Sequence, residues 1–216
     1  MYSCPLCECD QTTHYHQDKR RDYFQCQQCQ LIFADPTKHL APDLEKQVYD
    51  QHENNSADEG YRRFLSRLAD PLLLHLAPAS LHGLDFGCGP GPTLSVMLEE
   101  AGHNMAIYDP YFAPNVQALE AKYDFITCTE AIEHFYTPHK EWALLMGMVK
   151  PGGWLGFMTK LALDKDAFAR WHYKNDPTHV SFFSRETFSF LAQRDGLDVE
   201  FHGSDVILLR KRRYDS

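Results

Sequence analysis

Three alternating glycines and a downstream aspartate are the first residues of this chain whose types and spacing could do chemistry. Gly87, Gly89 and Gly91 follow Asp85, and Asp109 stands eighteen residues after the last glycine. Glycines lack a Cβ and let a backbone turn approach a ligand closely, and an acid that ends the next strand can accept both hydroxyls of a ribose. The pattern therefore predicts a site for a nucleoside cofactor.

The glycine spacing separates two classes of nucleoside cofactor. A dinucleotide fingerprint needs Gly-x-Gly-x-x-Gly, but Pro92 occupies the position of its third glycine. The pattern from Asp85 to Gly91, followed by Asp109, instead resembles motif I and the next acidic position of the class I S-adenosylmethionine-dependent methyltransferases. The resemblance implies a methyltransferase that binds S-adenosylmethionine, and the alternative is a glycine-rich turn without a ligand. The predicted cofactor contacts are Asp85, Gly87, Cys88, Gly89, Gly91, Asp109, Pro110 and Thr129.

A histidine-containing segment late in the chain could supply a base for methyl transfer. Residues 171–184, here named the acceptor loop, contain Asp-Pro-Thr-His-Val-Ser-Phe-Phe-Ser, which resembles a signature found before the last helix of many class I methyltransferases. Histidine has the pKa best suited to a base near neutrality. We predict His179 as the catalytic base, with Tyr173 and Asp176 as substrate-binding residues. The alternative is that His179 and Thr178 only brace the loop.

Four cysteines near the amino terminus have the spacing of a structural zinc site. They form two Cys-x-x-Cys pairs separated by eighteen residues, Cys4 with Cys7 and Cys26 with Cys29. Two such pairs can present four thiolates to one tetrahedral ion and leave no open position for a substrate, so we predict a structural Zn²⁺. Disulfides are one alternative, although an intracellular chain keeps its thiols reduced. Three nearby residues are alternative ligands: Cys9, His14 and His16.

The remaining pattern divides the chain into three parts. Residues 1–34 are predicted as a zinc ribbon of three short strands, residues 35–56 as a polar linker with a loop at 54–56, and residues 57–216 as the cofactor-binding domain. In this domain apolar strands alternate with helical periodicity. The alternation predicts an α/β fold with a Rossmann-like, mostly parallel sheet and a carboxy-terminal antiparallel hairpin.

Four local expectations accompany this fold. Pro71 should break or bend the helix that contains it, and residues 151–153 should form a turn before the fifth strand. Residues 110–123 are too few for a full third strand and lack the acid that reads the adenine amino group in related enzymes. Glu133 and His134 are expected to cap or pack the fourth helix.

Composition and charge limit the partners. The 216 residues carry a formal charge of −9, whereas a nucleic-acid-binding protein normally presents a basic face. No apolar stretch approaches the ~20 residues of a membrane span, so we expect a soluble, cytoplasmic protein. A small-molecule acceptor is therefore favoured over rRNA or tRNA, which the ribbon would contact through Lys19, Arg20 and Arg21. A non-catalytic cofactor-sensing or scaffold protein is the third alternative, and the acceptor atom and the oligomeric state stay open.

Overall fold

The amino-terminal segment folds into a small antiparallel meander. The computed structural model describes residues 2–50 and 55–213. Its first strands are β1 (Thr12–Gln17), β2 (Asp22–Cys26) and β3 (Ile32–Ala34). Strand β2 lies in the middle and pairs with β1 on one side and β3 on the other. The three short strands of the predicted ribbon are all present.

The segment predicted as a linker contains a helix. After a 3-10 turn at Pro36–Lys38, helix α1 spans Pro42–Tyr49. In the loop predicted at 54–56, Asn54 lies outside the described residues, and the Asn55 side chain accepts a hydrogen bond from Ala57 N at 2.9 Å.

Helix α2 spans Glu59–His75 and begins at Asp58, whose carboxylate accepts hydrogen bonds from two amides of the first turn. Of the two effects expected of Pro71, a break does not occur, because the helix continues through this residue, and a bend stays a prediction. Leu68 and Leu72 lie on the two sides of Pro71, and both are fully buried in the same apolar cluster. Their burial holds the helix together across the missing amide.

Strands and helices then alternate along the chain. In order they are β4 (His82–Phe86), α3 (Thr93–Glu100), β5 (Asn104–Tyr108), β6 (Tyr123–Thr129), α4 (Pro138–Met148), β7 (Val149–Met158), α5 (Lys165–Arg170), β8 (Ser181–Phe182), α6 (Arg185–Asp195), β9 (Leu197–His202) and β10 (Val206–Lys211). Short 3-10 turns lie at Val116–Glu120, Ile132–His134 and His172–Asn175.

Six of these strands form the central sheet, in the order β5-β4-β6-β7-β10-β9. Strands β5, β4, β6 and β7 are parallel, and β10 pairs antiparallel with both β7 and β9. This confirms the predicted Rossmann-like sheet with its antiparallel hairpin. Within the described part of the chain, residues 110–122 contribute a 3-10 turn and no strand, as their number predicts.

The start of β7 differs from the prediction. The strand begins at Val149, so residues 151–153 lie inside it and do not form a turn before it. Its pairing with β6 jumps from Val149 opposite Tyr123 to Trp154 opposite Phe125. The extra residues therefore form a bulge within the strand, as glycines in strands often do.

Helices cover both faces of the sheet. Leucines of α2 and α3 pack on one face with Phe125, Trp154 and Met158. Residues of α4 and α6 pack on the other face, in a cluster that also contains the ribbon residues Leu31 and Phe33. The ribbon therefore shares this core with the larger domain.

None of the helices in residues 2–50 and 55–213 is long and apolar enough to cross a membrane.

The acceptor loop contributes a strand to the ribbon. Strand β8 pairs antiparallel with β3, with Ile32 opposite Phe182 and Phe33 opposite Ser181. Ala34 N donates to Val180 O at 2.9 Å and extends this pairing. The second sheet therefore has the order β1-β2-β3-β8 and joins residues from the predicted ribbon and the predicted cofactor-binding domain.

Helix α6 is capped at both ends. Ser184 caps its amino terminus, and its hydroxyl and backbone exchange hydrogen bonds with Thr187 in a capping box. Gly196 ends the helix in the left-handed conformation, with φ of 68°. These caps fix the point at which the acceptor loop returns to the domain.

Substituting Gly83 with alanine should destabilise the domain by about 1–3 kcal/mol, the usual cost of overpacking. A Cβ at this position in β4 would lie 2.4 Å from the ring of Phe125, which is fully buried. Gly147→Ala is the matched control, because nothing lies within 4 Å of its Cβ position in α4 and alanine favours helix by up to ~1 kcal/mol. Urea unfolding of both variants measures the difference, and equal stabilities would contradict the packing described for β4.

Candidate functional site

The glycine-rich turn lies at the carboxyl end of β4 and is built on left-handed backbone. Gly87 has φ of 76° and Gly89 has φ of 65°, which favour glycine strongly over residues with a side chain. A Cβ on Gly87 would also lie 2.6 Å from the Cβ of Ala131. Gly87 N donates to Tyr108 O at 2.8 Å, so the turn is held to the end of the neighbouring strand β5.

Asp109 connects this turn to the segment after β5. Its Oδ2 accepts a hydrogen bond from Gly89 N at 3.0 Å, and its Oδ1 accepts from Tyr111 N and Phe112 N at 2.8 and 3.0 Å. The carboxylate is buried, and Oδ2 keeps a lone pair that no backbone group uses. This arrangement fixes the acid beside the glycine turn and leaves acceptor capacity for a ligand hydroxyl.

Asp85 lies deeper, at the end of β4. Its two oxygens accept hydrogen bonds from Thr127 Oγ1 at 2.8 Å and Ser95 Oγ at 3.2 Å. Burial raises the pKa of Asp85 to about 6, and the two hydroxyl hydrogen bonds act against this rise. Asp85 therefore braces β4 against β6 and α3, and its predicted contact with a cofactor remains a prediction.

Five of the predicted cofactor contacts line one small cavity. It is lined by Asp85, Gly87, Cys88, Gly91 and Thr129, together with Tyr61, Leu65, Thr93 and Leu94. Thr129 Oγ1 is buried and has no hydrogen-bond partner among the described residues, so it offers an unused polar group at the end of β6. Pro110 is exposed and is not among the residues that line this cavity. The glycine turn, the spare acceptor on Asp109 and the unpaired Thr129 hydroxyl fit a nucleoside ligand with polar groups.

Two histidines meet above the ends of β6 and β7. The rings of His134 and His179 have centroids 4.7 Å apart and lie edge to face. His179 Nδ1 is 2.8 Å from Tyr173 O, and His134 Nδ1 is 3.2 Å from Thr178 O. Because a carbonyl oxygen only accepts, each Nδ1 carries the hydrogen, and the lone pair of each neutral ring lies on Nε2. Burial, followed by the proximity of His134, lowers the pKa of His179.

A buried carboxylate supports this histidine pair. Glu133 accepts hydrogen bonds from the Tyr173 hydroxyl and from Thr159 Oγ1, the latter at 3.0 Å. One ligand atom each from Glu133, His134 and His179 lies within 4.8 Å of the others. Burial raises the pKa of Glu133, whereas the nearby His179 acts to lower it. The expectation that Glu133 and His134 cap or pack the fourth helix did not include this arrangement.

The predicted substrate-binding residues are engaged within the acceptor loop. Tyr173 is buried and its hydroxyl is bonded to Glu133. Asp176 Oδ1 accepts hydrogen bonds from Thr178 N and Thr178 Oγ1 at 2.9 and 2.6 Å, and its Oδ2 lies 3.8 Å from His179 Nε2. Both residues thus shape the surroundings of His179, and direct contact of either with a substrate remains a prediction.

Glu130 is a site residue that the sequence interpretation did not single out. It follows β6 with φ of 48°, a left-handed conformation that costs energy for a residue with a side chain. Its amide donates to Met158 O at 2.7 Å. Burial raises the pKa of Glu130 to about 8, and the charge of Glu133 adds to the rise. Its position at the carboxyl end of a central parallel strand is the signal that could have identified it.

Helix α1 covers one side of this region with acid and tyrosine side chains. Glu45 accepts hydrogen bonds from the Tyr49 and Tyr111 hydroxyls at 2.9 and 2.7 Å. The Tyr49 ring packs edge-on against His134, with centroids 5.2 Å apart. Tyr111 in turn is bonded through its amide to Asp109. The helix in the predicted linker therefore lies between the glycine turn and the histidine pair.

The four predicted zinc ligands converge in the ribbon. Their sulfur atoms all lie within 4.8 Å of one another, and the pairs Cys4–Cys29 and Cys7–Cys26 have Sγ atoms 3.5 Å apart. A disulfide needs about 2.05 Å, whereas tetrahedral Zn–S bonds of about 2.3 Å place sulfurs about 3.8 Å apart. The donor set therefore fits zinc. The alternative ligands are occupied elsewhere: Cys9 accepts from Gln11 N, His14 pairs with Asp22 and His16 stacks on Tyr23.

Comparisons with known proteins agree with this geometry. A family model described as a methyltransferase domain matches residues 55–201. Among curated proteins, ubiquinone biosynthesis O-methyltransferase of Serratia proteamaculans (strain 568) is 33% identical over 81 residues, which are 38% of this chain and 34% of that protein. The chain thus spans about a third of the length of this relative.

Solved structures share the fold. Magnesium protoporphyrin IX methyltransferase from Synechocystis PCC 6803 with bound SAH has a TM-score of 0.52 and 13% identity, covering 78% of this chain and 93% of that chain. The PH0226 protein from Pyrococcus horikoshii OT3 has a TM-score of 0.50 and 14% identity, and the match covers 77% of this chain and 99% of that chain. At such identities the likeness shows a common architecture.

Proposed function

The chain belongs to the methyltransferase domain family, and we propose that it transfers a methyl group from S-adenosylmethionine to a hydroxyl group of a small aromatic acceptor. The observation that carries this proposal is that the predicted cofactor residues and the histidine pair lie at the same edge of the sheet. The glycine turn and Asp109 lie at the ends of β4 and β5, and the pair of His134 and His179 lies above the ends of β6 and β7. Ligands of open α/β sheets bind beyond this edge.

The cofactor half of the site consists of the groups that have spare hydrogen-bonding capacity. Asp109 Oδ2 would accept from the ribose hydroxyls, and Thr129 Oγ1 would bond the ligand near the end of β6. Gly87 and Gly89 keep the backbone close to the ligand. When bound, S-adenosylmethionine supplies an electrophilic methyl group on a sulfonium sulfur.

In this mechanism His179 removes the acceptor proton. Its Nε2 would take the hydroxyl proton as the acceptor oxygen receives the methyl group that S-adenosylmethionine supplies, and the products would be a methyl ether, the demethylated cofactor and an imidazolium ion. The carboxylate of Glu133, held by Tyr173 and Thr159, would stabilise the positive ring. Such general-base assistance contributes about 10²–10⁴-fold to a rate, and orientation of the reacting groups supplies a further large part of the barrier reduction.

The surroundings favour a small aromatic acceptor. Tyr49 packs against His134, and Tyr111 from a second segment packs against Tyr49. Aromatic rings of this kind bind flat apolar molecules by stacking and edge contacts. The relative from Serratia, named an O-methyltransferase of ubiquinone biosynthesis, supports a hydroxyl acceptor. RNA is the weaker alternative, because Arg20 and Arg21, two of the three basic residues that would contact it, donate hydrogen bonds to carbonyl oxygens of the acceptor loop.

A structural zinc ion completes the proposal. Cys4, Cys7, Cys26 and Cys29 would bind it, and the four thiolates leave no position for substrate or water. The ion would stabilise the ribbon and have no direct part in methyl transfer.

The cofactor assignment is tested by titration calorimetry with S-adenosylmethionine and its demethylated product. Asp109→Ala should weaken binding by about 10–100-fold, because a hydrogen bond to a charged group contributes ~1.5–3 kcal/mol. Asp70→Ala, which removes an exposed acid of α2, should bind like the wild type. Thermal unfolding of each variant checks that the fold is retained. Equal affinities of wild type and Asp109→Ala would refute the ribose role.

A further inference from the structure

Arg21, at the start of β2, is bonded mainly to the acceptor loop. Its side chain is buried, with 6% of its surface exposed. Its two terminal nitrogens donate at 2.7 to 3.2 Å to four carbonyl oxygens of the loop, those of Lys174, Asp176, Pro177 and His179. The remaining donor, Nε, bonds to Tyr23 of the ribbon at 3.1 Å. One ribbon side chain thus holds most of the turn that leads to His179.

The other face of the loop is bonded to the catalytic domain. Val180 N donates to Glu133 O at 2.9 Å, and His134 Nδ1 donates to Thr178 O at 3.2 Å. His179 therefore lies between two sets of bonds. Its carbonyl oxygen accepts from Arg21, and its neighbours on both sides are fixed to Glu133 and His134.

The charge of Arg21 is directed to backbone carbonyls. Across residues 2–50 and 55–213, no carboxylate lies within ion-pair distance of its guanidinium. The nearby Asp18 accepts from the Tyr23 hydroxyl at 3.0 Å and pairs with buried Lys174 at 3.4 Å. Arginine presents five N–H donors in a fixed plane, so it can fix several carbonyls at once, which a lysine ammonium cannot.

The same strand connects Arg21 to the zinc site. Strand β2 begins directly after Arg21 and ends at Cys26, one of the four clustered cysteines. Strand β3 pairs with β2 on one side and with β8 of the acceptor loop on the other. A metal that fixes Cys26 therefore fixes the strands that carry the loop contacts.

We propose that Arg21 is a positioning residue for methyl transfer. Arg21 holds the acceptor loop so that the His179 imidazole stays above the sheet edge where the cofactor would bind, and the zinc ribbon serves the reaction through this contact. The proposal rests on the proposed function, in which His179 is the base. It gives the ribbon a role inside the enzyme and requires no nucleic acid.

The test uses the zinc-loaded full chain and compares wild type with Arg21→Lys and Arg21→Ala. Proton NMR titration follows His179, assigned by comparison with His179→Gln, and hydrogen exchange follows the Val180 amide. Four groups face the His179 ring: His134, Glu133, Asp176 and Tyr173. Because burial and His134 lower the pKa of His179, release of the loop into water should raise that pKa toward its ordinary value.

We expect both variants to show this upward shift, together with exchange of the Val180 amide at least about tenfold faster than in wild type. Lys19→Ala, an exposed change in the same turn, should match the wild type in both measurements. An unchanged His179 titration and unchanged exchange in both variants would overturn the proposal, and so would failure of both variants to fold, since Arg21 would then serve folding alone.

A failure of the proposed function is distinguishable from these outcomes. Calorimetry with S-adenosylmethionine on the same samples reports on the cofactor site, whereas the titration and exchange measurements need neither cofactor nor acceptor. Wild type that binds no cofactor would refute the function. If the wild type binds the cofactor normally and the Arg21 variants show an unchanged His179 titration and unchanged Val180 exchange, only the positioning role is refuted.

Discussion

Cys26→Ser should lose the zinc and most of the folded protein. Serine keeps its proton at neutral pH and cannot replace a thiolate ligand, and Cys26 is completely buried within the cluster. Structural zinc in small fingers contributes about 10–16 kcal/mol of folding free energy, which is comparable to the whole stability of a typical domain. Elemental analysis should find one zinc per chain in wild type and a large loss in the variant, together with a fall in soluble yield.

Cys9→Ser is the matched control for this loss. Cys9 lies in the same segment, but its sulfur accepts from Gln11 N and stays outside the cluster of four. The control should retain one zinc per chain and fold like the wild type. A wild type that folds without metal, or a Cys26→Ser protein with full zinc content, would contradict the zinc assignment.

His179→Gln should reduce methyl transfer by about 10²–10⁴-fold, the usual contribution of a general base. Glutamine keeps a hydrogen bond to Tyr173 O but offers no base near neutral pH, so affinity for S-adenosylmethionine should stay unchanged. The measurement is transfer of a radiolabelled methyl group to a panel of catechol, hydroxybenzoate and quinol acceptors. His172→Gln, an exposed histidine in the same loop, is the control and should keep full activity.

The pH dependence of the wild type follows from the direction of the His179 shift. The neutral ring is the base, and burial with the neighbouring His134 lowers its pKa below the ordinary value of about 6.5. Activity should therefore persist as the pH falls through 6.5 and decline only when it reaches the lowered pKa. An acid limb of kcat/KM above pH 6.5, or a profile unchanged in His179→Gln, would argue against this residue as the base.

Local patterns were sufficient to predict the sheet and the glycine turn. The left-handed backbone at Gly87 and Gly89 favours glycine through local steric effects, and the spacing to Asp109 is set by one helix and one strand. The capping box at Ser184 is likewise a contact between residues three apart. Such features depend on neighbours in sequence, and a single chain therefore indicates them.

Contacts between segments that are distant in sequence could not be predicted from such local patterns. Strand β8 has two residues and forms because β3, about 150 residues earlier, offers its edge. Arg21 looked like one of three exposed basic residues, and only the fold shows four loop carbonyls around it. Pro71 was expected to break or bend its helix, and its buried neighbours keep that helix continuous.

The pair of His134 and His179 shows most clearly what the sequence could not predict. The motif around His179 predicted one candidate base, but His134 and Glu133 come from a different loop, and their convergence depends on the ends of β6 and β7 lying side by side. A rule that inspects every polar residue just after a parallel strand would have included Glu130, Glu133 and His134.

The shared sheet of ribbon and acceptor loop also bears on how such a protein can be redesigned. A chain that began at residue 57 would leave β8 without its partner strand and would uncover the cluster in which Leu31 and Phe33 pack. Unpaired strand edges and apolar patches promote aggregation. Loop grafting to change the acceptor would therefore have to transplant the matching ribbon as well, and the two segments should be inherited together.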